Sequence, residues 1–127
     1  MRLLLDTHIF LWYITGDERL SQRFRQAIED ADVAYLSVIS GWEATIKHQL
    51  GKLPLPAPPT PWLREQRENH GIESLPLSET AVSILSQLPL HHKDPFDRML
   101  VCQSIEHDLA IVTVDPILEK YPAALFR

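Results

Sequence analysis

The chain has 127 residues and a net charge of −5, from 12 Lys and Arg against 17 Asp and Glu; 45% of the residues are hydrophobic. This composition is typical of a globular protein and excludes a disordered chain, and the length predicts a single domain over residues 1–127. No apolar run reaches the roughly 20 residues of a transmembrane helix. One cysteine gives no internal disulfide, so we expect a cytoplasmic protein without a membrane partner.

The first half of the chain alternates short apolar runs with segments of helical periodicity. Gly16 and Gly51 end two of these segments, as glycine commonly does. The pattern predicts a strand at 2–6, an apolar and aromatic segment at 7–14, a helix at 21–30, a strand at 33–37 and a helix at 38–50.

A proline-rich segment, residues 54–61, holds five of the 10 prolines, and proline is excluded from helix interiors and central strands. We predict a rigid extended connection there, which could alternatively serve as a partner-docking arm. The elements predicted after it are a helix at 62–70, a strand at 72–77, a helix from Ser78 to about 88, a helix at 95–107, a strand at 110–114 and a short helix opened by Asp115-Pro116. This alternation predicts an α/β sandwich around a short, mostly parallel sheet.

Two predicted strands run directly into an aspartate, Asp6 and Asp115. Ligands of open parallel sheets bind beyond the carboxyl ends of the strands, so both acids are candidate site residues. The alternative is that each caps a helix, since Asp is favoured at that position and Pro116 follows Asp115.

Glu43 lies within a predicted apolar stripe of the helix at 38–50. A carboxylate on a core-facing stripe is costly unless it is paired or binds a metal. A pair with Lys47, one turn later, is the alternative, and it could leave Glu43 solvated. The stripe is formed by Ile39, Trp42, Ile46 and Leu50.

The fourth acid, Asp97, lies in the first turn of the helix at 95–107, beside apolar neighbours. Asp97 could instead bond back to the helix start. We assign the capping role mainly to Asp94 and the inward role to Asp97, with Asp94 as an auxiliary ligand. Four acids packed together would repel one another and raise their pKa values unless a cation lay between them. Oxygen ligands without a Cys or His pattern favour Mg²⁺ or Mn²⁺, and such sites suit phosphoryl chemistry.

The order Asp6, Glu43, Asp97, Asp115 resembles the PIN-domain ribonucleases, in particular the VapC-type toxins of toxin–antitoxin pairs. The resemblance rests on three blocks of the sequence: LLLDTHIFLW, SVISGWEATIKHQLGKL and DPFDRMLVCQSIEHDLAIVTVD.

The resemblance implies a PIN-like three-layer α/β/α sandwich and RNA cleavage that depends on Mg²⁺ or Mn²⁺. It also implies a homodimer and inhibition by a cognate antitoxin. The four acids match the family's metal-binding acids, with Asp115 in the more variable role. Thr7 and Thr113 match small hydroxyl positions near the site.

Several other polar and aromatic side chains allow both a functional and a structural interpretation. His91 and His92 adjoin Asp94 and could carry protons or touch phosphate, although adjacent loop histidines are more often solvated. Basic side chains at 47, 93 and 98 could contact RNA phosphates or simply pair on the surface. Aromatic side chains at 12, 13 and 42 could stack bases, although core or dimer packing is favoured. Cys102 fits a buried small hydrophobe.

Three other functions compete with a nuclease. A PIN fold that has lost activity would serve only as a binding partner, which the intact acid set disfavours. A receiver-like phosphoacceptor domain needs an aspartate after a mid-chain strand, where Ser37 stands, and a lysine where Asp115 stands. A phosphatase of the haloacid-dehalogenase type needs a second aspartate where His8 stands.

Overall fold

The computed structural model describes residues 1–127 and contains one sheet of five strands. The strands are β1 (Arg2–Leu5), β2 (Val33–Ser37), β3 (Glu73–Leu75), β4 (Ala110–Val112) and β5 (Leu125–Phe126). Their order across the sheet is β3-β2-β1-β4-β5, and every pair is parallel. The prediction of a mostly parallel sheet is therefore confirmed, with no antiparallel strand.

Six α-helices and one 3₁₀ helix connect the strands. None is long and apolar enough to cross a bilayer. The α-helices are α1 (Thr7–Thr15), α2 (Gln22–Asp30), α3 (Val38–Gln49), α4 (Pro59–Asn69), α5 (Glu79–Leu85) and α6 (Pro95–His107), and the 3₁₀ helix covers Pro116–Lys120.

Successive residues of β1 point to opposite faces of the sheet and build two separate cores. Leu3 and Leu5 pack with α1, α2 and α4, whereas Leu4 packs with α5 and α6. All three leucines are fully buried, and burial of such a side chain is worth about 1.5–3 kcal/mol. The predicted three-layer α/β/α sandwich is confirmed, because each face of the sheet is covered by helices.

The acids of interest lie beyond the carboxyl ends of the central strands. β1 is flanked by β2 on one side and β4 on the other, so the chain reverses direction across the sheet at β1. Ligand sites of open parallel sheets form at such a reversal. The backbone N–H of Asp6 donates to the carbonyl of Val112 at 3.0 Å and holds the two strand ends together there.

Two predictions about helices are wrong. α4 begins at Pro59 rather than at residue 62, because Pro59 and Pro61 lie in the first turn, where the backbone N–H has no partner within the helix. In α3 only part of the predicted stripe faces the core: Ile39 is buried, but Trp42 and Leu50 are 58% and 63% exposed. Ser37 ends β2 and also caps α3, so this tight junction fixes the rotation of the helix. The residues that α3 buries are Ile39, Ser40, Glu43 and Ala44.

The last segment of the chain differs from the prediction in detail. The strand predicted at 110–114 ends at Val112, which leaves Thr113, Val114 and Asp115 in the connection beyond the sheet. β5 was not predicted, because two residues carry no periodicity; its pairing with β4 is a tertiary contact.

Candidate active site

A cavity of about 280 Å³ opens beyond the carboxyl ends of β1 and β4, and all four predicted acids line it. Asp6 follows β1, Glu43 comes from α3, Asp97 from the start of α6 and Asp115 from the connection after β4. Its 11 lining residues are Asp6, His8, Ile9, Trp12, Glu43, Lys47, His92, Asp94, Asp97, Val114 and Asp115. The fold thus brings together acids that are far apart in the sequence.

Asp6 occupies the capping position of α1, but its side chain makes no capping bond. The carboxylate instead accepts a hydrogen bond from the Thr113 hydroxyl at 2.9 Å. Burial raises the pKa of Asp6 above its usual range, and the negative charge of Glu43 adds to the rise, whereas the bond from Thr113 opposes it. Hydrogen bonds therefore support this carboxylate, but no lysine or arginine pairs with it.

Glu43 is only 4% exposed and has a partner on each oxygen. One oxygen accepts from the Thr7 hydroxyl at 2.7 Å, and the other accepts from Lys47 Nζ at 2.6 Å. The predicted pair with Lys47 therefore forms, but it does not leave Glu43 solvated. The Thr7 hydroxyl also lies 2.9 Å from that of Ser40, which extends this buried network.

The ion pair with Glu43 also changes the pKa of Lys47. Burial alone would lower the pKa of Lys47, but the hydrogen bond and the negative charge of Glu43 raise it above the ordinary value. The ammonium group therefore stays charged at the wall of the cavity and is the lining cation nearest to Glu43.

Asp97 is the most strongly perturbed acid of the cavity. Burial, together with the negative charges of Asp6 and Asp94, raises the pKa of Asp97 to about 7. A hydrogen bond with His92, in which Nε2 lies 2.9 Å from Asp97 Oδ2, acts in the opposite direction. The carboxylate of Asp97 makes no bond back to the helix start, which is capped by Asp94 instead.

The capping interpretation is confirmed for Asp94 and Asp115. Asp94 accepts from the backbone N–H groups of Phe96 and Asp97, at 2.9 and 3.2 Å. Asp115 accepts from the N–H of Ile117 at 3.0 Å and caps the 3₁₀ helix. Both acids also line the cavity, so each has a capping bond and a place at the site.

Sequence reasoning did not assign three of the lining residues, His8, Trp12 and His92, to this site. His92 was treated like His91, but His92 contacts Asp97 whereas His91 is exposed and packs edge-on against Tyr121. His8 and Trp12 line the mouth of the cavity from α1. His8 and Trp12 are four residues apart in α1, so they lie on the same face of this helix. That spacing, just after Asp6, is the sequence signal from which both could have been placed at the site.

The donor set fits a hard divalent cation. Asp6 and Asp97 are partly buried carboxylates, and burial is the main cause of their raised pKa values, to which neighbouring negative charges add. Ligand atoms of His92, Asp94 and Asp97 all lie within 4.8 Å of one another. Carboxylate oxygens are the donors that Mg²⁺ and Mn²⁺ prefer.

Cys102 agrees with its structural interpretation, whereas the core packing considered for Trp42 is not found. Cys102 is fully buried, and burial raises the pKa of its thiol to about 11, which makes it inert. Trp42 is exposed on α3 and contacts Phe96 edge-on, at 5.1 Å between ring centroids, so it is not a core residue.

Comparison with known proteins agrees with the fold. Residues 3–124 match the PIN domain family. The chain is 31% identical over 121 residues to Ribonuclease VapC22 of Mycobacterium tuberculosis (strain ATCC 25618 / H37Rv), which covers 94% of this chain and 91% of that protein.

Solved structures with the same fold include complexes of toxins with antitoxins. The structure of VapBC2 from Rickettsia felis, bound to a DNA fragment from its promoter, has a TM-score of 0.71 and 12% identity, and covers 100% of this chain and 98% of that chain. DNA-bound VapBC from Salmonella typhimurium has a TM-score of 0.71 and 15% identity, and covers 100% and 97%. The sequence match over almost the whole chain and the common fold lead to one conclusion: this chain belongs to the PIN-domain family.

Proposed function

We propose that the chain is an endoribonuclease, the toxin of a toxin–antitoxin pair, with Mg²⁺ or Mn²⁺ as its cofactor. The observation that carries the proposal is the convergence of Asp6, Glu43 and Asp97 on one cavity, where only Glu43 has a lysine partner. Membership of the PIN family and the 31% identity to a protein named a ribonuclease support it.

Asp6, Glu43, Asp97 and Asp115 would hold the metal, and Asp94 would assist. A bound divalent ion supplies a Lewis acid for the phosphate and lowers the pKa of a water molecule that attacks the phosphodiester. Thr113 orients Asp6, and Thr7 orients Glu43, through hydroxyl bonds that fix each carboxylate before substrate arrives.

The basic groups of the cavity wall would meet the RNA backbone. Lys47 stays charged beside Glu43, and His8 lies at the mouth of the cavity. A phosphate contact from Lys47 would position the strand without reading its sequence. We therefore expect Lys47 to contribute to substrate binding as well as to the position of Glu43.

The direct test is cleavage of a total RNA pool by the purified chain, with Mg²⁺ or Mn²⁺ and with EDTA. Cleavage that needs the metal, and that Asp6→Asn abolishes, is the expected result. Glu18→Gln is the matched control, because Glu18 is exposed and outside the cavity, so the loss of its charge should leave cleavage unchanged. A folded chain that cleaves nothing with either metal would favour the alternative, a catalytically silent PIN-fold binding module.

We also propose a homodimer that uses the exposed face of α3. Val38 and Trp42 are 44% and 58% exposed, although both are large and apolar. Such side chains on one helix are typical of an interface. Sedimentation of the wild type and of Trp42→Glu tests this: a dimer that becomes a monomer is expected, and a monomeric wild type would contradict the proposal.

The proposed protein partner is a cognate antitoxin, and we expect the pair to act in the cytoplasm. A groove of about 380 Å³ beside the cavity, which shares His8 and Trp12 with it, supports a docked segment. The prolines of 54–56 line this groove, in line with the interpretation of this segment as a docking arm. Co-expression with a small protein from the adjoining reading frame, followed by purification of a complex that no longer cleaves RNA, tests the pairing.

A further inference from the structure

His92 is the only nitrogen donor in close contact with an acid of the cavity on the α6 side. Its side chain is 26% exposed, and its Nε2 lies 2.9 Å from Oδ2 of Asp97. Ligand atoms of His92, Asp94 and Asp97 form the one tight group of potential metal ligands in the chain. The candidate site therefore has a nitrogen among its oxygens.

The fold holds His92 in place from a distant part of the chain. Its backbone N–H donates to the hydroxyl of Tyr121 at 2.9 Å, and Tyr121 is only 4% exposed. The ring of the preceding residue, His91, packs edge-on against the ring of Tyr121, at 5.3 Å between centroids. Tyr121 thus anchors both histidines but leaves only His92 on the cavity.

The separation of His92 and Asp97 suits two ligands of one ion. At metal–ligand distances of about 2.1 Å, ligand atoms at right angles on an octahedral ion lie roughly 3 Å apart. The observed 2.9 Å between Nε2 and Oδ2 matches that separation. Neither side chain would need to move far to exchange the hydrogen bond for a shared cation.

We propose that His92 donates a ring nitrogen to the metal ion of this site, beside Asp97 and Asp94, and that this nitrogen makes the site prefer Mn²⁺ to Mg²⁺. Imidazole is a good ligand for transition-metal ions, whereas Mg²⁺ keeps to oxygen donors. The proposal rests on the proposed function only in requiring a divalent ion at the cavity.

The test uses Mn²⁺ as a paramagnetic probe without RNA. Pulsed electron paramagnetic resonance of the Mn²⁺-loaded wild type should show coupling to ¹⁴N, which changes to ¹⁵N coupling when the histidines are ¹⁵N-labelled. His92→Gln should lose the coupling and bind Mn²⁺ at least about tenfold more weakly by calorimetry. The affinity for Mg²⁺ should fall less, so that the preference for Mn²⁺ decreases.

Two histidine variants serve as controls. His91→Gln changes the adjacent residue, which does not line the cavity, and His8→Gln changes the other histidine that does. Both should keep the nitrogen coupling and the preference for Mn²⁺.

Each contrary result has a distinct meaning. Wild-type protein that binds Mn²⁺ without nitrogen coupling would overturn the role of His92 and leave the proposed nuclease intact. Coupling that disappears in His8→Gln instead would assign the nitrogen to the wrong residue. If His92→Gln weakens Mn²⁺ and Mg²⁺ equally, His92 only positions Asp97. A wild type that binds neither ion would overturn both this proposal and the proposed metal-dependent function.

Discussion

Glu43 and Asp97 line the same cavity but have opposite surroundings. Glu43 has a hydroxyl on one oxygen and an ammonium group on the other, so the protein itself satisfies the charge. Asp97 lies among Asp6 and Asp94, and burial together with these charges raises its pKa to about 7. The negative charge of Glu43 is balanced by Lys47 without a metal, whereas the negative charges around Asp97 would be neutralised by a bound cation. Stability should therefore respond in opposite directions when each of the two acids is replaced by its amide.

The largest expected effect is on cleavage by Asp97→Asn. Loss of a carboxylate that would hold the metal should reduce kcat by on the order of 10²–10³-fold or more, since the metal would stabilise the charge of the reacting phosphate. The metal-free variant should unfold at higher urea concentration, with a gain of about 1 kcal/mol or more, because each pKa unit corresponds to about 1.4 kcal/mol. Loss of stability with cleavage intact would contradict the assignment of Asp97 to the site.

Glu43→Gln should also reduce cleavage, but with the opposite effect on stability. Lys47 would lose its charged partner, and the free energy of unfolding should fall by about 1–3 kcal/mol. Urea unfolding measures this, and Glu18→Gln, on the exposed surface, should change it by less than about 0.5 kcal/mol. If Glu43→Gln and Asp97→Asn shift stability in the same direction, the contrast between the two sides is wrong.

The pH dependence of stability gives a smaller effect with the same origin. Because the pKa of Asp97 is about 7 in the folded protein and 3.8 as the reference value, the folded state binds this proton more tightly. The free energy of unfolding in EDTA should therefore rise as the pH falls from about 7.5 to 5, by up to about 1.4 kcal/mol per pH unit. Asp97→Asn should reduce this slope; an equal slope in both proteins would exclude Asp97 as its source.

The smallest expected effect is that of Thr113→Val, which tests the support of Asp6. The hydroxyl of Thr113 donates to Asp6 at 2.9 Å and accepts from the N–H of Asp115 at 3.0 Å. Its loss should cost about 1 kcal/mol of stability and reduce kcat by about tenfold or less. Thr15→Val removes a hydroxyl at the end of α1, away from the cavity, and should leave kcat unchanged.

Much of this arrangement could be predicted from the sequence, because strand ends and helix starts are local features. Asp6 follows an apolar run that predicts a strand, and Asp94-Pro95 precedes an apolar helix. In an open parallel sheet, residues after a strand lie at the edge where ligands bind, so the fold class places these acids there. The order of the acids then identified the family, which the family match confirms.

Other features depend on contacts between distant residues and left no local signal. The rotation of α3, which exposes Trp42, is fixed by its junction with β2. The difference between His91 and His92 depends on Tyr121, about 30 residues away along the chain. β5 is a strand of two residues that is defined by its pairing with β4.

The central position of β1 has a consequence for synthesis of the protein. β1 is synthesised before β4, the strand with which it pairs, and the cavity forms where these two strands meet. A nascent chain without residues 110–115 lacks both the partner strand and the last acid of the site. The proposed site is therefore complete only after residues 110–115 have left the ribosome, and a product that stops before them lacks one of its four acids.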